Sequence, residues 1–146
     1  MIIPIILAQC PHGWVASGRS CYSLRRSGLS WSDAQHNCRE LAVGSHLADL
    51  KTVEDLLFIS SQLLKHSNML LLLWTGLNDQ QTEGQHLWSD GSAHNLTITV
   101  SSSLSANQTD CFALQKNVTG PGYFLTPFFC AISLPFICQY NSKKNL

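Results

Sequence analysis

Six cysteines constrain this chain more than any other feature. They stand at Cys10, Cys21, Cys38, Cys111, Cys130 and Cys138. No Cys-x-x-Cys pair occurs among them, so a zinc knuckle or a thioredoxin-type site has no support. Three Asn-x-Ser/Thr sequons, at Asn95, Asn107 and Asn117, fall within 25 residues. An even cysteine set beside clustered glycan acceptors points to the secretory pathway, with the cysteines paired and the domain extracellular, either secreted or part of an ectodomain. Buried free thiols in a reduced compartment are the competing reading.

A length of 146 residues, 45% of them apolar, suits one domain with a real core. Nine basic residues balance nine acidic ones, and the only basic pairs are Arg25-Arg26 and Lys143-Lys144. That argues against a nucleic-acid partner and against an electrostatic grip on anionic membranes. Residues 1–9 are apolar but short, and read as a clipped signal remnant or an ordered edge segment. The run Met69–Trp74 is too short to cross a bilayer, so no transmembrane span is expected in this chain.

Periodicity divides the chain into local elements. Cys10 to Ser23 reads as a hairpin with a turn at Ser17-Gly18. Ser30 with Asp33 opens a first helix, whose apolar face is Trp31, Ala34, Cys38 and Leu41. Thr52 with Asp55 opens a second, with Val53, Leu56, Leu57, Ile59, Leu63 and Leu64 as its stripe. Both stripes are read as core packing. Met69 to Gly76 reads as a buried central strand, and Gly84 to Ser92 alternates around a turn at Asp90-Gly91. Residues 93–110 form a polar surface loop. Strands follow at Cys111–Leu114, Phe128–Ile132 and Pro135–Gln139, with a turn over Asn117–Gly122. The fold class is α+β, with helices segregated from an antiparallel sheet.

The ordered set of motifs is more specific than any one of them. It runs Cys10-x-x-x-Trp14, Cys21-Tyr22, Trp31 to Cys38, Leu47-Ala48, Trp74-Thr75-Gly76-Leu77, Trp88-Ser89-Asp90-Gly91-Ser92, Cys111, Cys130 and Pro135-Phe136-Ile137-Cys138. Across residues 10–140 this resembles the long form of the C-type lectin-like domain, leaving 1–9 as an apolar lead and 141–146 as a polar tail. The resemblance implies two helices packed on antiparallel sheets, a long loop region, and the pairs Cys10–Cys21, Cys38–Cys138 and Cys111–Cys130. It also implies a binding module whose partner is a protein or a glycan.

The calcium-dependent members of that family hold sugar with a Glu-Pro-Asn or Gln-Pro-Asp tripeptide and a Trp-Asn-Asp before the fifth cysteine. Calcium needs six to eight oxygens, several from carboxylates. Here neither tripeptide occurs, and Leu125-Thr126-Pro127 stand where Trp-Asn-Asp would be. After Asp90 the one side-chain carboxylate is Asp110. Asn78-Asp79 with Glu83 are the remaining candidates for a cation site. No metal ligand is assigned and no cofactor is expected, calcium included. All three sequons fall in or beside the region of the family's sugar site, so glycans there would cover it.

The leading expectation is therefore a calcium-independent module for a protein or non-classical ligand. The alternatives are a lectin with an atypical calcium site and a structural domain of a larger extracellular protein. An enzyme is not expected and no catalytic residue is assigned: paired cysteines leave no thiol nucleophile, and neither Gly-x-Ser-x-Gly nor His-Glu-x-x-His occurs. A Ser-His-Asp set assembled in space stays open. His12, His36, His46, His66, His86 and His94 form no zinc signature and are read as surface or packing residues. The aromatics Tyr123-Phe124 and Phe128-Phe129 are read as core rather than as an exposed anchor.

Overall fold

The computed structural model describes residues 10–66, 70–80, 85–94, 111–120 and 122–141. The elements run β1 (Val15–Ser17), β2 (Ser20–Leu29), α1 (Trp31–Leu41), β3 (His46–Leu47), α2 (Val53–His66), β4 (Leu72–Asn78), β5 (Cys111–Lys116), β6 (Tyr123–Phe128) and β7 (Leu134–Asn141). The strands are ordered β1-β2-β7-β4-β5-β6, with β3 also paired to β7. Every pairing is antiparallel except β4 with β7, which is parallel at Trp74 and Phe136. The sheet is thus mixed, not purely antiparallel as expected. The two reversals from β4 to β5 and β5 to β6 restore β4's direction, and the chain keeps it when it crosses to β4's other side as β7.

Both helices begin as their sequences dictate. The Ser30 hydroxyl accepts from Asp33 N–H at 3.4 Å. At α2 the exchange is reciprocal: Asp55 N–H donates to Thr52 Oγ1 at 3.1 Å, and Thr52 N–H donates to Asp55 Oδ2 at 3.3 Å. The strands' period of two then sorts the core onto two faces. Leu73 and Leu77 of β4, Phe112 and Leu114 of β5 and Ile137 of β7 join Ile59 and Leu63 of α2 in one cluster. Trp74, Cys111, Ala113, Phe136 and Cys138 join Trp31, Ala34 and Cys38 of α1 in the other.

The three disulfides are Cys10–Cys21, Cys38–Cys138 and Cys111–Cys130, as the resemblance implied. The Cys38–Cys138 bridge spans 100 residues and ties α1 to β7. In the chain-entropy model such a loop contributes about 4–5 kcal/mol by constraining the unfolded chain.

Several local expectations are corrected. In α1, Leu41 is exposed and Gln35 takes a buried place, its Oε1 accepting from Leu47 N–H at 2.8 Å. In α2, Val53, Leu57 and Leu64 are exposed, because helical spacing turns them well away from the arc centred on Ile59 and Leu63. The central strand starts at Leu72, and Leu71 before it is exposed. The strand expected at Phe128–Ile132 is instead Tyr123–Phe128, and Ile132 N–H closes a turn on Phe129 O at 3.1 Å. The last strand is longer than expected, running Leu134–Asn141.

Candidate functional site

The residues of the Trp74-Thr75-Gly76-Leu77 motif each answer a packing demand. Trp74 is fully buried in the α1-side cluster, and its Nε1 donates to Leu29 O at 3.0 Å. Thr75, also fully buried, satisfies its hydroxyl on Phe112 O at 2.9 Å, while its own carbonyl accepts from Trp31 Nε1 at 2.8 Å. Gly76 is small because of what crosses it. A methyl there would strike Asp49 Oδ1 and lie 2.9 Å from both Leu47 O and Ser89 Oγ.

Those neighbours form a polar clamp. Ser89 N–H and Ser89 hydroxyl reach Asp49 Oδ1 at 2.9 and 2.8 Å. The same hydroxyl lies 2.9 Å from His46 Nδ1 and 2.9 Å from Leu47 O. Asp49 is 4% exposed, and burial pushes its carboxyl up from the usual carboxylate value against the opposing pull of His46 and of the Ser89 hydrogen bonds. A serine, a histidine and an aspartate therefore do meet, but not as a nucleophile relay. That relay needs the hydroxyl on one ring nitrogen and the carboxylate on the other. Here both face Nδ1, the carboxylate at 3.5 Å, and the hydroxyl binds the carboxylate directly. The cluster fastens the 86–94 segment onto the β3 end of the sheet.

Asp90 completes that segment. Its Oδ1 accepts from Ser92 N–H at 2.9 Å and from Ser92 hydroxyl at 2.6 Å, closing the turn in which Gly91 takes φ 89°. Its Oδ2 pairs with the Lys51 ammonium. Partial burial works against the charge, but the hydrogen bonds from Lys51 and Ser92 outweigh it and bring the carboxyl down to about 2. Trp88, beside it, is anchored in the α2-side cluster. Between this turn and α1 lies a groove of about 530 Å³, lined by Gln35, His36 and Arg39 from the helix, Trp88 and Asp90 from the turn, and Asn78 from the end of β4.

The residues weighed for calcium and sugar lie as follows. Leu125, Thr126 and Pro127 are buried in β6, paired with Leu114, Ala113 and Phe112. Asn78 turns its amide onto Gly76 O at 3.1 Å, and the buried Asp79 faces His86 at 3.9 Å. Glu83, Asp110, Asn95 and Asn107 lie outside the described residues. Asn117 is the one sequon asparagine among the described residues. It follows β5 at the end where Lys116 N–H bonds Leu71 O, whereas Asn78 pairs with Cys111 at the other. About six strand residues, or roughly 20 Å, separate Asn117 from the groove end.

The aromatics split rather than clustering in the core. Tyr123 is buried with its hydroxyl on Leu70 O at 2.7 Å, while Phe124 and Phe129 are exposed. His36 pairs with Glu40 at 3.1 Å, His86 packs edge-on against Phe112 and His94 against Trp88; the His66 side chain is outside the described residues.

The Lectin C-type domain family model matches residues 27–140. The chain belongs to the C-type lectin domain family. Among relatives, the alpha chain of the snaclec dabocetin from Daboia siamensis is 33% identical over 137 residues, covering 90% of this chain and 82% of that one. One of the chains of the snaclec coagulation factor IX/factor X-binding protein from Gloydius halys is 26% identical over 135 residues, covering 90% and 85%. Human lithostathine shares the fold with a TM-score of 0.80 at 22% identity, covering 97% of each chain. Among the described residues, no helix is long and apolar enough to cross a membrane. Of this C-type lectin domain's fixed parts, sequence reasoning missed the Asp49–Ser89–His46 clamp. Ser89 lies 40 residues from Asp49, and only the glycine of the Trp74–Leu77 motif hints that something passes close by.

Proposed function

We propose that this chain is an extracellular, non-enzymatic recognition module that binds a protein ligand without calcium, through the pole that carries the groove between α1 and the Trp88–Gly91 turn. The observation that carries this reading is the state of β6. Where calcium-binding members of the family offer an asparagine and an aspartate, Thr126 and Pro127 are buried and supply no carboxylate. Calcium would have to be held without them, and Asp90 is already occupied by Lys51 and Ser92. The relative named for binding coagulation factors IX and X supports a protein as the class of ligand. The test is to present the oxidised chain to panels of glycans and of extracellular protein domains, each in calcium and in chelator. Binding to a protein that survives chelation is the expected result. Binding to a glycan that chelation abolishes would overturn the proposal.

A further inference from the structure

We infer that Asn117 carries an N-linked glycan, placed at the pole of the domain away from the recognition groove. This rests on the extracellular reading above, and adds a modification site that the turn geometry picks out. The β5–β6 turn is closed by Asn117 N–H on Gly122 O at 2.9 Å. Inside it, Thr119 N–H and Thr119 hydroxyl both donate to Asn117 Oδ1, each at 3.0 Å. The two bonds fill the oxygen's two lone pairs and fix the carboxamide's orientation. Asn117 Nδ2, the atom a glycan would join, has no acceptor among the described residues. Beside it is the bare α-carbon of Gly120, where a built Cβ would still lie 4.0 Å away. Val118 is 91% exposed, so a sugar over the turn displaces no packed side chain.

The chemistry is a group transfer from a lipid-diphosphate-linked oligosaccharide. A bond forms between Asn117 Nδ2 and the sugar's C1, the bond from C1 to the diphosphate oxygen breaks, one amide proton is lost, and the lipid diphosphate leaves. The folded turn then keeps the product in solvent. Because Asn117 and Asn78 stand at opposite ends of the paired β4 and β5, the glycan leaves the groove open.

The test uses the full chain secreted from eukaryotic cells. Enzymatic deglycosylation in heavy-oxygen water followed by mass spectrometry reads whether Asn117 becomes labelled aspartate. The expected result is labelling in the wild type and in N95Q/N107Q, loss in T119A, and retention in T119S, which restores the hydroxyl. Secreted protein with its disulfides intact but Asn117 unmodified would overturn this inference and leave the extracellular reading standing. A chain that stays out of the secretory pathway with free thiols would overturn both.

Discussion

Strands β4 and β6 flank β5, yet they have fared differently against the family pattern. On β4 the Trp-x-Gly-Leu signature is intact, and each residue in it is held by something specific: Trp74 by Leu29 O, Thr75 by Phe112 O, Gly76 by the Asp49 and Ser89 side chains that cross it. On β6 the family's Trp-Asn-Asp has become Leu125-Thr126-Pro127, three buried residues that pair with β5 without disturbing it. The contrast separates two kinds of constraint. Residues that frame the fold cannot change without leaving a hole or an unpaired polar group. The residues on β6 are held by packing and pairing with β5, not by polar contacts to one another.

The sharpest way to break this contrast is at its centre. Trp74→Ala should cost about 3–5 kcal/mol, since the emptied volume lies between α1 and the sheet and the Leu29 carbonyl loses its donor. Denaturant unfolding of the oxidised protein measures it, and a loss under about 1 kcal/mol would mean the α1-side core is looser than its burial implies. Gly76→Ala comes next, at about 1–3 kcal/mol, because the methyl drives Asp49 and Ser89 apart. The clamp itself gives a paired prediction. Asp49→Ala strands the Ser89 N–H, while the Ser89 hydroxyl keeps Leu47 O as an acceptor, and should cost about 1–3 kcal/mol. Asp49→Asn keeps an acceptor and removes a charge that burial disfavours, so it should be far milder.

These two carboxylates also have opposite pH signatures. Asp49, its carboxyl raised by burial, contributes stability that is full at acid pH and shed as pH rises through its folded value. Asp90, lowered to about 2, contributes stability that is full above its unfolded value near 4 and lost as pH falls toward 2. Thermal midpoints measured from pH 7 downward should therefore rise first and fall later. In Asp49→Asn the early rise should flatten, and an unchanged rise would place its origin elsewhere. The smallest effect is expected on β6: Phe124→Ala, at an exposed position, should shift stability by under about 1 kcal/mol.

How legible this was in the sequence follows the same division. The capping pairs Ser30/Asp33 and Thr52/Asp55 and the three disulfides were readable, because local chemistry or the ordered motif set specifies them. The extension of β2 to Leu29 was not. Arg25, Arg26, Ser27 and Gly28 carry no apolar period, and Arg25 is held in register by backbone pairing to Phe136. Phe128–Ile132 misled through its aromatic and β-branched composition, although the chain turns there. The clamp and the groove were out of reach because both join residues from separate elements, and no spacing along the chain encodes a meeting of His46, Asp49 and Ser89.

The central claim is that the frame persists without a calcium site, and thermal unfolding of the oxidised chain in millimolar calcium and then in excess chelator tests it directly. A cation that binds only the folded state must raise its midpoint. The predicted result is the same midpoint in both. A midpoint that rises clearly in calcium would contradict the claim and would show that a cation site survives in the loops despite Leu125-Thr126-Pro127.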